Sequence, residues 1–278
     1  MAEDEQEQSH QLNELQLVVY RILEAYDAIC REYDLRYFLT EGTLLGAIRH
    51  QGFIPWDDDI DIMMPREDYE KFLKIAPQNL DTDLYQIQHS STVENYWSPF
   101  IKLRLLKHDG SYVQARIAHL TDANGPLIDI FPLDSVPRAK SFAQSLNGFY
   151  VKFLRRALAV KLNAHRIKSY KQHIIKWASY FFSVRGLHKR LDRSFQRFNK
   201  STNEYVVNWG SYYPAWKETF PKSDVLSEVP RLAPFEEGSF PVPVQAERVL
   251  TSIYGDYMVI PKEPGKGHFA PARKNDLL

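Results

Sequence analysis

Apolar residues recur at spacings of three and four from Leu12 through Leu15, Val19, Ile22, Tyr26 and Ile29 to Tyr33, which predicts an amphipathic helix with one face turned to a core. Past Asp34 the rhythm changes. RYFLT reads as a short strand, EG as a turn, and TLLGAIRH as a helix with Thr43 near its start. In DIDIMM, acids and apolar residues alternate with the period of a strand until Pro65 ends it. A helix follows in PREDYEKFLKIA, where Pro65 suits the first helical position and the acids suit the first turn. Further strands are predicted at Tyr85–Gln88, Pro99–Leu106, Ser111–Ala115 and Pro126–Phe131, and helices at Phe142–Leu162 and His173–Phe198. From Asn203 onward the chain is rich in Pro and aromatic residues; one helix is predicted there, at Val244–Tyr254, followed by a poorly structured tail. The succession predicts an α/β chain with a mixed sheet: a catalytic core over 11–135, a helical segment over 136–200, and a C-terminal part over 201–278 that packs on the core.

Composition supports a compact molecule. The 278 residues, 44% hydrophobic and 13% aromatic, can bury a sizeable core, and 16 Pro against 12 Gly leave no flexible linker. Cys30 is the single cysteine, so no intrachain disulfide forms and a reducing compartment is expected. The acidic start MAEDEQEQSH lacks the features of a signal peptide. The run IIKWASYFFSVRGL is shorter than the roughly 18 residues needed to span a bilayer, and Lys176 and Arg185 interrupt it. A cytoplasmic location follows as the expectation.

Net charge is zero, yet residues 138–200 hold 16 Lys and Arg against one acid, Asp192, whereas residues 1–90 hold 19 acids against seven Lys and Arg. The basic segment mixes cations with large apolar residues, as in YVKFLRRALAVKL, in the manner of interfacial helices. It could face an anionic partner, such as the inner face of a membrane, or simply solvent. No nucleic-acid recognition motif accompanies it.

The chemistry concentrates in PWDDDIDIMMP, with Asp57, Asp58, Asp59 and Asp61. Along a strand, residues i and i+2 share a face, so Asp59 and Asp61 are expected to project together while Ile60 and Ile62 go inward. Paired carboxylates suit a hard cation such as Mg²⁺. Upstream, Gly42 permits close backbone approach and Thr43 opens a helix whose free N–H groups suit phosphate. Asp129, an acid inside the apolar run PLIDIFPLD, needs a counter-charge; a cation shared with Asp59 and Asp61, or a basic side chain, would supply it. Lys102 and Arg104 share one strand face in FIKLRLL and, with Arg49 in the helix after Thr43, join the phosphate-binding candidates.

The block EGTLLGAIRHQGFIPWDDDIDIMMPREDYEKF, from Glu41 to Phe72, resembles the signature of the LicD family of phosphocholine transferases, whose distant relatives include fukutin and fukutin-related protein. FIKLR, PLIDIFPLD, FPVP at Phe240–Pro243 and YGDYM at Tyr254–Met258 resemble it more weakly. The resemblance implies a nucleotidyltransferase-type mixed sheet in which a Gly-Ser-like turn precedes an Asp-x-Asp pair and a third acid lies on a later strand. Gly42 with Thr43, Asp59 with Asp61, and Asp129 fall on those positions, Thr43 replacing the commoner Ser. It also implies Mg²⁺, with Mn²⁺ as an alternative, on Asp59, Asp61 and Asp129. The implied donor is CDP-linked, typically CDP-choline, and CMP is released. The implied acceptor is a sugar hydroxyl of a cell-surface glycan, a lipid-linked glycan or a teichoic-acid-type precursor. Asp129 either completes the metal site or acts as general base. A choline head group would want aromatic faces, for which Tyr96, Trp97, Trp209, Tyr212, Tyr213 and Trp216 are candidates. Alternatives are transfer of a CDP-linked ribitol or glycerol phosphate, true nucleotidyl transfer, and a non-catalytic scaffold. Residues 136–200 lie outside the resemblance.

Overall fold

The computed structural model describes residues 13–106, 112–113, 124–162, 173, 175, 177, 179–211, 213–261 and 270–271. Helix α1 (Glu14–Glu32) begins at a capping box: Asn13 Oδ1 accepts from the Gln16 N–H at 2.8 Å, and Gln16 Oε1 accepts from the Asn13 N–H at 3.1 Å. The pair satisfies donors that a bare helix start would leave orphaned. The predicted stripe points inward at Leu15, Val19, Ile22, Tyr26 and Ile29. Tyr33 instead caps the helix, partly exposed, and Leu12 lies outside the described residues. Cys30 is buried beside this stripe, and burial pushes its thiol pKa far up, so it stays protonated and inert.

After α1 come β1 (Phe38–Leu39), α2 (Glu41–His50), β2 (Asp61–Pro65), α3 (Arg66–Asn79), β3 (Tyr85–Gln88), β4 (Ile101–Leu105), β5 (Tyr112–Val113) and β6 (Leu127–Val136). The rest comprises α4 (Phe142–Leu162), α5 (Val184–Phe195), β7 (Tyr205–Asn208), β8 (Thr219–Pro221), the one-turn α6 (Lys222–Val225), β9 (Arg231–Phe235), β10 (Gly238–Val242), α7 (Ala246–Tyr254) and β11 (Ala270–Pro271). Seven strands form one mixed sheet in the order β1-β2-β6-β4-β3, with β7 joined to β6 and β8 to β7. Among the described residues only β2 and β6 run parallel. The 10-residue β6 is the axis of the sheet: its first half pairs with β4, its last residues pair with β7, and β2 lies along its middle. In this register Asp61 stands opposite Asp129, and Asp129 opposite Lys102.

Helices α1 and α3 pack on β6 and bury the main core. A second core joins Val151, Leu154 and Leu158 of α4 to Leu187, Leu191 and Phe195 of α5, and closes on Val136, Val207 and Trp209. The basic helical segment is therefore tied to the far half of β6 and to β7. One arginine, paired with two acids, fixes this junction. Arg66, the first residue of α3, donates through Nε and Nη2 to both oxygens of the fully buried Asp134 at 2.8 and 2.5 Å, and through Nη1 to Asp192 of α5 at 3.2 Å. Asn199 adds a donor to Asp134 at 2.7 Å.

Several sequence expectations are corrected. The EG turn does not precede α2 but forms its first turn, with Thr40 as N-cap. Pro65 closes β2 and sits at the N-cap of α3, one position before the first helical residue. The single helix expected over His173–Phe198 is interrupted: Ser183 caps a new helix, its Oγ accepting from the Gly186 N–H at 3.0 Å, and a 3-10 turn follows at Gln196–Phe198. Beyond Asn203, five strands stand among the described residues where little regular structure was expected. Two of them, β7 and β8, extend the main sheet. The β9–β10 hairpin braces the loop before β2, since Glu236 Oε1 accepts from the Phe53 N–H at 2.7 Å and Gln51 O accepts from the Glu236 N–H at 2.9 Å. Of the strand expected at Ser111–Ala115, the described part is Tyr112–Val113, paired with β11.

Candidate active site

The site is assembled where β1 hands the chain to α2, beside the start of β2. Backbone contacts lock the two together: Asp61 O accepts from the Thr40 N–H at 3.0 Å, and the buried Thr43 Oγ1 accepts from the Asp61 N–H at 2.8 Å. The Thr43 hydroxyl thus positions Asp61 at the edge of β2. A Cβ on Gly42 would lie 2.6 Å from Asp57 Oδ2. Glycine is what lets that carboxylate lie over the first turn of α2, where free N–H groups and the helix dipole favour an anion. From the other side Gln16 Nε2 donates to Asp57 O at 2.9 Å, pinning the acidic loop to α1.

Acids converge here from three elements. Asp59 precedes β2 and Asp61 opens it, while Asp129 of β6 stands beside Asp61 and donates its N–H to Ile60 O at 2.8 Å. Burial, then the neighbouring Asp59, Glu41 and Asp129, push the Asp61 carboxyl pKa well above the ordinary range. Asp129 is also raised by burial; Lys102 opposes the rise and Asp59 adds to it. The counter-charge that Asp129 needs is Lys102, whose buried ammonium forms an ion pair with it and lies 5.0 Å from the centre of the Trp97 ring. Burial lowers the Lys102 pKa, and Asp129 pulls it back up.

The other basic candidates are placed differently. Arg104 shares the face of Lys102 but is fully buried, with its guanidinium bonded to Gln88 Oε1 at 2.9 Å and to Gly125 O. Arg49 lies in the last turn of α2, at the opposite end of that helix from Gly42 and Thr43, and donates to Tyr257 O at 2.7 Å. Among the aromatic candidates, Tyr96 and Trp209 belong to the core, and Trp216 is partly exposed under Lys140. Trp97 is half-buried beside Lys102. Tyr213 is half-buried against Tyr254, ring centres 5.6 Å apart, and both hydroxyls feel the charges of Glu41 and Asp61. Tyr212 lies outside the described residues.

Two carboxylates that the sequence reading passed over complete the group. Glu41 is buried and adopts φ +46°, a left-handed backbone that costs a non-glycine residue about 1 to 3 kcal/mol and persists only where surroundings enforce it. Burial pushes its pKa up to about 7; the Ser211 hydroxyl opposes this, and Asp59 and Asp129 add to it. Asn208 Nδ2 donates to its Oε1 at 3.4 Å. The available signal was a lone acid in the apolar run YFLTEGTLL, the same kind that singled out Asp129. Glu218, just before β8, is fully buried, and burial followed by Glu41 raises its carboxyl strongly, with Ser211 and Lys217 only partly opposing.

Replacing Glu218 with Gln keeps the shape and removes this charge. A carboxyl raised in the folded state holds a proton that the unfolded chain has already released, so stability falls as pH rises from the ordinary Glu value through the raised one. Glu218→Gln is therefore expected to stabilise at pH 7.5 by about 1 to 3 kcal/mol, roughly 2 to 5 °C in melting temperature, with the gain shrinking towards pH 4.5. Thermal unfolding at both pH values checks this, and a variant less stable than the parent at pH 7.5 would contradict it.

A divalent cation fits this donor set. The oxygens of Asp57, Asp58 and Asp59 come within 4.8 Å of one another, and the like charges around Asp61 call for a positive partner. The tightest group thus adds Asp57 and Asp58 to Asp59, while the Asp129 carboxylate is drawn to Lys102.

A mixed sheet whose parallel strand pair carries facing acids, entered through a glycine at a helix N-terminus, defines an α+β fold of the nucleotidyltransferase type. The family description that matches residues 34–153 is "LicD/FKTN/FKRP, nucleotidyltransferase domain". The chain is 30% identical over 262 residues to the lipopolysaccharide cholinephosphotransferase LicD of Haemophilus influenzae, and the match covers 91% of this chain and 93% of that protein. Shorter matches join it to an uncharacterized protein of Rickettsia typhi, 39% identical over 74 residues covering 27% of this chain and 24% of that one, and to one of Rickettsia prowazekii, 40% identical over 62 residues covering 22% and 23%. The chain belongs to the LicD family and is a transferase.

Proposed function

We propose that this transferase moves phosphocholine from CDP-choline to a hydroxyl of a glycan and releases CMP. The observation that carries the reading is the gathering of Asp57, Asp58, Asp59, Asp61 and Asp129 at the N-terminus of α2, with the carboxyls of Asp61 and Asp129 both pushed up by burial and then by the charge of Asp59. Asp59 and Asp61, joined by Asp57 and Asp58, are the residues that would hold Mg²⁺ or Mn²⁺. Such an ion, when bound, supplies positive charge to diphosphate oxygens. The N-terminal turn of α2 orients the donor.

The acceptor oxygen attacks the choline-bearing phosphorus, the bond from that phosphorus to the oxygen of the CMP phosphate breaks, and CMP leaves with the electron pair. The hydroxyl proton passes to a carboxylate: Asp129 takes it or joins the cation site, and Glu41 offers a second acceptor. Trp97, Tyr213 and Tyr254, half-buried around the acids, present aromatic faces for the trimethylammonium group. The name of the Haemophilus relative supports phosphocholine as the group and lipopolysaccharide as the kind of acceptor.

The test is product analysis with purified protein, a panel of CDP-linked donors and a glycan acceptor. CMP is expected from CDP-choline only when acceptor is present; EDTA should abolish its release and excess Mg²⁺ restore it. CMP from CDP-ribitol or CDP-glycerol alone would reassign the donor, and pyrophosphate release would replace group transfer with nucleotidyl transfer.

A further inference from the structure

Helix α4 turns Gln144, Asn147, Val151, Leu154, Ala157 and Leu158 inward. The other side of its first half is not polar. Phe142 is 84% exposed and Phe149 79%, with Leu146 between them also exposed and Tyr150 partly so. Spacings of four, three and one place these on one stripe. Taking large apolar side chains out of water is favourable in proportion to the area covered, so a stripe of them left in solvent is a cost that a partner would recover.

A second exposed aromatic group, outside α4 in sequence, lies beside the last turn of that helix. Trp177 is 70% and Tyr180 83% exposed, Phe181 is exposed beside them, and Trp177 and Phe181 meet edge to face at 5.6 Å. Lys161 ties this group to the last turn of α4, donating to Ser179 O at 3.3 Å with its ammonium 6.0 Å from the Tyr180 ring centre.

Charge selects the partner. α4 contains no acid, and Arg138, Lys140, Lys152 and Arg156 are exposed on it or just before it. The one acid of the segment, Asp192, is engaged by Arg66 and Gln196. A second copy meeting this face about a two-fold axis would set like charges against each other. Exposed aromatic, aliphatic and cationic side chains along one helix are the composition of an interfacial helix on anionic lipid.

We infer that the outer face of α4, with the Trp177–Phe181 group, docks on an anionic lipid bilayer, inserting Phe142, Leu146 and Phe149 while the surrounding Lys and Arg meet the head groups. No helix among the described residues is long and apolar enough to cross a membrane, so the contact is peripheral. The inference does not depend on which group the enzyme transfers. Arg155 has a separate role: it turns inward and donates to Trp209 O at 3.1 Å and Ser211 O at 2.7 Å, so it is left intact in the test.

Co-sedimentation of the full chain with phosphatidylglycerol–phosphatidylcholine vesicles is compared with pure phosphatidylcholine vesicles. Binding to the anionic vesicles is expected to weaken at least tenfold between about 0.1 and 0.5 M NaCl. It should also weaken at least tenfold in Phe142→Ser with Phe149→Ser, and separately in Lys152→Glu with Arg156→Glu, with melting temperatures unchanged. No binding at low salt, or binding that both double variants retain, overturns the inference. Equal binding to pure phosphatidylcholine that free phosphocholine displaces would place the lipid in the transfer site instead, and concentration-dependent dimerisation lost in the Phe variant without vesicle binding would assign the face to a second copy.

Discussion

Asp61→Asn is expected to lower CMP release by about a thousandfold or more while leaving the protein folded and more stable than the parent. Loss of a single group that stabilises charge at a reacting centre commonly costs two to three orders of magnitude, and here the same group is proposed to hold the cation. The stability gain has the opposite origin. Burial and the charges of Asp59, Glu41 and Asp129 disfavour the ionised Asp61, so an isosteric neutral side chain relieves about 1 to 3 kcal/mol, or roughly 2 to 5 °C. The backbone is not disturbed, because the bonds to Thr40 and Thr43 use the Asp61 carbonyl and N–H. Turnover and thermal unfolding measured in one buffer decide the matter: more than a tenth of parental turnover at saturating Mg²⁺ would remove Asp61 from the site.

The second large effect concerns the junction of α3, β6 and α5. Arg66→Met keeps the aliphatic stem but leaves Asp134, fully buried, without its bidentate partner. Breaking a buried pair on one side costs about 3 to 5 kcal/mol, which corresponds to a fall of about 5 to 9 °C in melting temperature. Asn199 remains as a donor to Asp134 but is neutral. Adding Asp134→Asn to Arg66→Met removes the stranded charge and is expected to recover a large part of the loss. Urea unfolding of the two variants checks both statements, and a loss below about 1 kcal/mol in the single variant would mean that water reaches the carboxylate.

What could be read from the sequence follows the strength of its local patterns. The stripe of α1, the limits of α4 and the strand at Tyr85–Gln88 rest on periodicity that tertiary packing did not override. Asp61 and Asp129 stood out as acids among apolar neighbours, but their register across a parallel pair is a long-range fact that no local window contains. Strands β7 and β8 are short and mostly buried, so YVVN and TFP show no alternation. The β9–β10 hairpin turns at Glu236 and Glu237, with φ +53° at Glu236, where Asn or Gly would be the recognisable residues. Pro234 and Pro241 further argued against strands there. Glu41 was passed over because a Glu before Gly looks like an ordinary turn; only its burial and positive φ show otherwise. Helix periodicity likewise gave α4 its length but not its exposed side, since apolar stripes are read as inward by default.

The shared strand β6 has a consequence for synthesis on the ribosome. Asp61 gains its neighbour only after residue 129 has emerged, and the last residues of β6 gain theirs only when Tyr205–Asn208 has emerged. A growing chain carries β2 with an open edge until β6 has emerged, and then β6 with an open edge until β7 has emerged, and such edges are what aggregation and chaperones act on. A stalled product ending before Tyr205 would leave Leu133–Val136 bare on that side, so nascent chains of this protein are most vulnerable while the acidic site is still only half built.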